Sequence, residues 1–231
     1  MVEWIALDGD DTLWHSQDGF EEVEALFREI VAEYVDPDTA RAELYATEAA
    51  NMSALGYGAK AFTISLVETA LRLSRGSIPA TELDRLLDAG KGLLTRPTRL
   101  LDGAAGAVEE LAGRYRLLLV TKGDLVHQER KVAESGLAEH LDRIAIVSEK
   151  DHDTYRQLLA EEGAPAQRFL MAGNSLRSDV LPVLEVGAWA AYVPYAWTWV
   201  HEQVPDGAPD GVPVLSSLAE LPGLVAELAA A

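Results

Sequence analysis

The sequence contains no cysteine, few aromatic residues, and half as many basic as acidic residues. Without cysteine, disulfide bonds, zinc–thiolate sites and thiol catalysis are excluded. No apolar run approaches the ~20 residues of a membrane-spanning helix. The N-terminus lacks the basic region of a secretory signal. We therefore expect a globular protein of the cytoplasm.

The shortage of basic residues leaves 19 Lys and Arg against 38 Asp and Glu, a formal net charge of −19. A chain with this charge repels nucleic acid and anionic membrane surfaces, so neither is expected as a partner. If the substrate is a small anion, the site itself must supply positive charge. No feature of the sequence predicts an oligomeric state.

A short apolar run at residues 4–7 ends abruptly in three carboxylates, Asp8, Asp10 and Asp11. Such a run, bounded by turn residues, favours a buried parallel strand. Open α/β sheets bind ligands at the carboxyl ends of their strands, and carboxylates are costly to bury without a cation or hydrogen-bond donors. Chemistry therefore explains this cluster better than packing does.

The rest of the chain divides into two parts. Residues 15–95 show helical periodicity and no convincing strand, which predicts an inserted all-helical cap domain that can act as a lid. Residues 96–231 alternate strands with helices, as in βαβ units. We predict an α/β fold in which residues 1–14 and 96–231 form a Rossmann-like, three-layer parallel-sheet core. A last edge strand is expected at residues 212–215.

Three later strands of this core also end in polar residues. Thr121 and Lys122 end one predicted strand, Lys150 follows the next, and Asn174 and Asp179 follow a third. Because the carboxyl ends of parallel strands meet at one edge of the sheet, we expect these residues to converge with the first carboxylates.

The residue types at this edge suit particular roles. Asp8 can act as a nucleophile, and Asp10 can act as a general acid and then as a base. Asp8 and Asp179 together can hold a hard cation such as Mg²⁺. Thr121 can bind phosphate oxygens, and Lys150 can offset negative charge near the nucleophile.

In these stretches the chain resembles the haloacid dehalogenase (HAD) superfamily over nearly its full length. Four stretches of this chain look like the four motifs of the superfamily. In chain order they are D-G-D-D-T-L, V-T-K-G, S-E-K-D with Lys150, and G-N-S-L-R-S-D. The helical insert between the first and second motifs is similar to the superfamily's cap of the first type.

The resemblance implies Asp8 as nucleophile, Asp10 as general acid/base, and Thr121 and Lys150 as phosphate ligands. It also implies a magnesium ion as cofactor. The implied metal ligands are Asp8, the main-chain carbonyl of Asp10, Asn174 and Asp179.

Several positions depart from the family pattern. Asn174 replaces a usual aspartate, which removes one negative charge and should weaken metal binding. Lys122 replaces a frequent asparagine and adds positive charge beside the expected phosphate. Asp11 replaces a common glycine. Lys131 competes with Lys150 for the role of third-motif lysine, and we favour Lys150 because it follows a strand.

Four residues are candidates for substrate binding. Thr12 and Lys122 adjoin the first and second motifs. Tyr57 and Lys60 lie in a loop that contains Gly56 and Gly58, which permit tight backbone geometry. This loop is either a specificity loop that meets an anionic substrate or an ordinary connection between helices.

We expect an enzyme, a Mg²⁺-dependent phosphatase that hydrolyses a small phosphorylated metabolite through a phospho-aspartate on Asp8. One alternative is a 2-haloacid dehalogenase, which Asp10 and Asp179 disfavour. A phosphosugar mutase shares the same intermediate. A third alternative is a catalytically weak binding protein on the same scaffold, which only the replacement of the usual aspartate by Asn174 supports. The sequence does not name the substrate.

Overall fold

The structure, a computed structural model, describes residues 1–230 of the chain, with side chains through residue 229. Within it the chain forms two compact units. The first contains residues 1–15, 98–122 and those from 128 onward, and the second contains residues 16–97 and 123–127.

A five-stranded parallel sheet forms the centre of the first unit, in the order β3-β2-β1-β4-β5. This arrangement confirms the predicted α/β class. Because β1 lies between β2 and β4, the strand order reverses beside it, and open sheets bind ligands at such a reversal. The strands are Trp4–Leu7 (β1), Arg116–Lys122 (β2), Arg143–Val147 (β3), Phe169–Gly173 (β4) and Trp189–Tyr192 (β5).

Four helices form most of the second unit. A large hydrophobic side chain from each of them is fully buried in a shared core: Phe27, Leu44, Leu66 and Leu86. Each helix thus buries one apolar face against the other three. The helices are Gln17–Val31 (α1), Pro37–Leu55 (α2), Ala59–Leu73 (α3) and Ala80–Thr95 (α4).

The helices of the first unit cover both faces of the sheet. Ile5 and Leu7 of β1 point into one hydrophobic cluster and Ala6 points into another, as the two-residue period of a strand requires. The resulting three layers match the predicted architecture. The remaining helices are Ala104–Leu111 (α5), Leu125–Ser135 (α6), His152–Glu162 (α7), Leu181–Glu185 (α8) and Leu221–Ala230 (α9).

The edge strand expected at residues 212–215 is reduced to an isolated bridge between Tyr192 and Val214. Tyr192 donates its N–H to the Pro213 carbonyl and accepts from the Leu215 N–H. Proline has no N–H, so Pro213 cannot donate the hydrogen bond that would extend the ladder before this bridge. Among the described residues, every helix is too short or too polar to cross a lipid bilayer.

Candidate active site

The first motif forms a tight turn directly after β1. The Asp8 N–H donates to the Ala172 carbonyl at 3.0 Å, and the Gly9 carbonyl accepts from the N–H groups of residues 12–14. A Cβ at Gly9 would lie 2.6 Å from the Trp14 ring and 3.3 Å from Thr121 Oγ1. Only glycine fits this position, so the turn can pass between β1 and the end of β2.

Asp11 adopts a left-handed backbone conformation, with φ at 64°. Aspartate tolerates this region better than most residues other than glycine. Its N–H donates to the Trp14 carbonyl at 2.7 Å. Asp11 therefore shapes the turn, which explains how it can stand where the family often has glycine.

Lys150 joins two carboxylates that come from different strand ends. Its Nζ lies 2.5 Å from Asp8 Oδ1 and 2.7 Å from Asp179 Oδ1. All three side chains are almost completely buried, with exposed fractions of 7% or less. A buried cation between two carboxylates compensates charges that would otherwise be very costly to bury.

Burial raises the pKa of Asp8 to about 7, even though the charge of Lys150 acts in the opposite direction. For Lys150, burial would lower the pKa, but Asp179 and Asp8 outweigh it and hold the Lys150 pKa well above its ordinary value. Lys150 is therefore a permanent cation. A second cation near Asp8 would favour its ionised form further.

The Asp10 side chain binds three donors. Trp14 Nε1 and Lys131 Nζ donate to Oδ1 at 2.6 and 2.7 Å, and Gln128 Nε2 donates to Oδ2 at 2.8 Å. Burial would raise the pKa of Asp10, but Lys131, Gln128 and Trp14 together hold it below its ordinary value. Asp10 is thus an ionised carboxylate, the form that a general base requires.

Two threonines flank the first carboxylate. Thr12 Oγ1 donates to Asp8 Oδ2 at 3.0 Å, so both oxygens of Asp8 have a donor. Thr121 is buried at the end of β2, with its Oγ1 beside Gly9. Both predicted threonines therefore lie at the carboxyl edge of the sheet.

Lys122 takes part in a second cluster of polar residues at this edge. Its Nζ lies 2.5 Å from Glu202 Oε1, 2.9 Å from Ser178 Oγ and 3.3 Å from Glu149 Oε1. Glu202 also accepts from the hydroxyls of Ser175 and Ser178. The cluster ties the end of β2 to the turn after β4 and to the segment that contains Glu202.

The fourth motif begins as β4 ends. Asn174 follows Gly173 and is half-buried. Residues 176–180 form a π-helical turn, a feature that is frequent at functional sites. A Cβ at Gly173 would lie only 2.2 Å from Asp179 Oδ2, and that same oxygen accepts from the Ser175 N–H at 3.0 Å. The missing side chain at Gly173 makes room for the Asp179 carboxylate.

The residues at this edge fit magnesium in their chemistry. Within residues 1–230, no group of three or more His, Cys, Asp or Glu side chains is placed to hold a metal ion. Mg²⁺, however, is commonly bound by only one or two carboxylates and completes its shell with water. Asp8 and Asp179 are two such carboxylates, and Lys150 Nζ bridges one oxygen of each.

Tyr57 and Lys60 lie in the helical unit. Tyr57 is half-buried between Gly56 and Gly58, which both have positive φ. Lys60 Nζ donates to Asp124 Oδ2 at 2.8 Å. The lysine that the sequence suggested for an anionic substrate thus forms an ion pair with a carboxylate of its own unit.

The sequence analysis missed three features of the sheet edge: Gln128, the contact of Lys131 with Asp10, and Glu202. For the first two the sequence offered helical spacing, since Gln128 stands four residues before the apolar Val132 and three before Lys131. Buried positions of α6 recur as pairs four residues apart, 127 and 128 and then 131 and 132, and three of these four residues are polar. Polar residues on a buried helix face need partners. Glu202 had no comparable signal.

The fold and the site together define a class of protein. A buried aspartate follows the central strand, a buried lysine lies beside it, and a second aspartate follows two residues later. All three lie where the strand order of the parallel sheet reverses. The family model for the haloacid dehalogenase-like hydrolases matches residues 2–187. The chain therefore belongs to the haloacid dehalogenase-like hydrolases and is a hydrolase.

Solved structures agree with this assignment. A haloacid dehalogenase-like family hydrolase from Xanthomonas campestris is 40% identical, with a TM-score of 0.89 over 99% of this chain and 92% of its own. An L-2-haloacid dehalogenase from Xanthobacter autotrophicus is 17% identical, with a TM-score of 0.66 over 98% and 99%. A predicted phosphoglycolate phosphatase from Haemophilus somnus is 14% identical, with a TM-score of 0.65 over 97% and 98%.

The two more distant structures show the fold alone, and their names cover two different activities. No curated protein matches the chain.

Proposed function

We propose that this hydrolase is a Mg²⁺-dependent phosphatase that acts on a small phosphorylated metabolite. The observation that carries the proposal is Asp10. Its carboxylate lies two residues beyond Asp8 and is held by three donors at the same edge of the sheet. Phosphomonoester hydrolysis through an acyl phosphate needs a group that moves protons at this place, whereas dehalogenation needs no acid for a halide leaving group.

In the first step, a carboxylate oxygen of Asp8 attacks phosphorus and the bond to the leaving oxygen breaks. Asp10, which is ionised in the free protein, must first take up a proton and then gives it to the leaving oxygen. In the second step, Asp10 takes a proton from water, the water oxygen attacks phosphorus, and the bond to Asp8 breaks. Phosphate leaves, and the Asp8 carboxylate is restored.

Positive charge at the site makes the approach of a phosphate dianion possible. Lys150 forms a direct ion pair with Asp8, and Thr121 and Thr12 offer hydroxyl donors at the same edge of the sheet. Two like charges ~4 Å apart cost about 4 kcal/mol at an effective dielectric of 20, so local cations matter more than the net charge of the chain. Lys122, in contrast, is already paired with Glu202 and Glu149, so its charge is compensated within the chain.

Asp8, Asp179, Asn174 and the Asp10 carbonyl would hold the magnesium ion. The ion supplies charge neutralisation between nucleophile and phosphate when it is bound. In the same proposal, residues 15–95 serve as the cap domain. Tyr57 in its loop and Lys60 in the first turn of α3 contribute to the choice of substrate.

The proposal is tested with p-nitrophenyl phosphate and a panel of phosphorylated metabolites, each assayed with MgCl₂ and with EDTA. We expect turnover that requires Mg²⁺ and falls by at least about a thousandfold in Asp8→Asn, because that variant lacks the nucleophile. Asp153→Asn, which changes an exposed carboxylate at the start of α7, is the matched control and should keep wild-type activity.

Two results would contradict the proposal. One is phosphatase activity that survives EDTA or the loss of the Asp8 carboxylate. The other is halide release from 2-chloropropionate without metal, combined with no turnover of any phosphomonoester, which would identify a dehalogenase instead.

A further inference from the structure

We propose that Lys131 and Gln128 are positioning residues for the proton-transfer step, and that they act by fixing the carboxylate of Asp10. The inference rests on the proposed function. It assigns a role to a pair of residues on α6 that lie three positions apart, and so on neighbouring parts of one helix face.

The two side chains bind different oxygens of the same carboxylate. Lys131 Nζ lies 2.7 Å from Asp10 Oδ1, and Gln128 Nε2 lies 2.8 Å from Asp10 Oδ2. Trp14 Nε1 adds a third donor, 2.6 Å from Oδ1. A carboxylate with directed donors on both oxygens has its side-chain torsion fixed, which is the pre-organisation that general acid–base catalysis needs.

Gln128 is itself held in one orientation. Its Nε2 donates both to Asp10 Oδ2 and to the Lys122 carbonyl, at 2.8 and 3.0 Å. Both partners are acceptors, so the amide cannot be reversed without losing both hydrogen bonds. Gln128 thereby links the position of Asp10 to the main chain at the end of β2.

Burial makes a purely surface role untenable for these residues. The Lys131 side chain is only 10% exposed, and Gln128 is 3% exposed. A lysine is costly to bury unless a partner compensates it. Here the compensation comes from Asp10, which is a separate carboxylate from the pair that Lys150 binds. The two lysines thus serve different carboxylates of the site.

The other end of the Gln128 amide shows how firmly its orientation is set. Among the described residues, its buried Oε1 has no hydrogen-bond donor. A buried acceptor without a donor is costly, so the two hydrogen bonds of Nε2 to Asp10 and to the Lys122 carbonyl outweigh this cost in fixing the amide.

The test compares kcat/KM for p-nitrophenyl phosphate with kcat/KM for the alkyl phosphomonoester that the wild type hydrolyses best. An alkoxide must be protonated as it leaves, whereas p-nitrophenolate hardly needs a proton. We expect Lys131→Met to lower kcat/KM about tenfold or more on the alkyl ester and less than about threefold on p-nitrophenyl phosphate. Lys131→Arg, which keeps a cation, should recover much of the difference.

A double-mutant cycle separates positioning from a general loss of structure. If Lys131 acts through Asp10, adding Lys131→Met to Asp10→Asn should change kcat/KM by no more than about twofold. Gln128→Met should show the same pattern and serves as the second probe if Lys131→Met folds poorly. Arg130→Met is the matched control, since Arg130 lies on the same helix and pairs with Glu134 at the surface.

Equal losses on both substrates, or an undiminished further loss in the Asp10→Asn background, would overturn the inference and leave only a structural role. That result is distinct from failure of the proposed function, in which the wild type itself would hydrolyse no phosphomonoester. The latter outcome would overturn both proposals together.

Discussion

Lys150 determines the electrostatic state of two buried carboxylates. It lies between Asp8 and Asp179, which come from the ends of β1 and β4, and both distances are those of direct ion pairs. The same lysine would meet the substrate's negative charge in the proposed reaction. Its catalytic and structural roles can nevertheless be distinguished, because only the structural role affects unfolding in the absence of substrate.

We predict that Lys150→Met lowers the free energy of unfolding by about 3–5 kcal/mol, because it leaves two buried carboxylates without their cation. The double variant Lys150→Met with Asp179→Asn should regain part of this loss, since it carries one buried charge fewer. Urea unfolding followed by circular dichroism measures the free energy of unfolding of both variants. EDTA in the buffer prevents a metal ion from replacing the lysine.

The control for this prediction is Lys91→Met. Lys91 pairs with Asp88 across an exposed helix surface, and such pairs contribute only about 0–1 kcal/mol. A Lys150→Met variant as stable as the wild type would show that Asp8 and Asp179 do not depend on the lysine for their burial.

At the scale of elements, Glu202 connects segments that are distant in the chain. It lies in a short 3₁₀ turn, Val200–Glu202, and binds Lys122 at the end of β2 and two serines in the turn after β4. Burial would raise the pKa of Glu202, but the charge of Lys122 and the hydrogen bonds from Lys122, Ser175 and Ser178 hold it below its ordinary value of 4.5.

This shift predicts a pH-dependent contribution to stability. A carboxylate whose pKa is lower in the folded than in the unfolded state stabilises the fold above its unfolded pKa, and this contribution is lost as the pH falls through the folded pKa. The stability difference between the wild type and Glu202→Gln should therefore be largest near neutral pH and should shrink as the pH falls below about 4.5.

Urea unfolding of the wild type and of Glu202→Gln, measured from neutral to acid pH, gives the difference between their free energies of unfolding at each pH. Glu109→Gln, on the exposed face of α5, is the control for loss of one negative charge from the chain. A constant difference between the wild type and Glu202→Gln across the range would mean that the ionised form of Glu202 does not stabilise the fold.

At the scale of the whole molecule, the net charge of −19 acts against the compact state. Ion pairs such as those of Arg143 with Glu161 and Glu162 offset part of the repulsion locally. The chain has twice as many acidic as basic residues, so many acidic groups remain that no basic side chain can match. Repulsion among exposed charges is screened by salt much more than buried pairs are.

We predict that the free energy of unfolding rises as NaCl increases from about 0.01 M to about 0.15 M, over which the Debye length falls from about 30 to 8 Å. Denaturation with urea, which is uncharged, measures the change without adding ions. Choline chloride should have the same effect as NaCl if screening is the cause. A decrease with salt would show that attractive surface pairs outweigh the repulsion.

Much of this organisation could be predicted from local sequence. The apolar run before Asp8, the helical periods of residues 15–95 and the alternating elements after residue 96 each reflect a period of two or 3.6 residues that side chains impose on the backbone. The five-stranded parallel sheet confirms the fold class, and the family match confirms the hydrolase. The prediction of an edge strand at residues 212–215 was wrong, because Pro213 lacks the N–H that a longer ladder would need.

The sequence by itself determined the class of fold, the family and the residue types available at the strand ends, because these depend on short-range patterns. Tertiary structure decided which charged groups meet. Lys131 and Lys150 were rivals for one role in the sequence, yet one binds Asp10 and the other binds Asp8 and Asp179. Such pairing depends on strand register and on the packing of α6 against the sheet, which bring together residues more than a hundred positions apart.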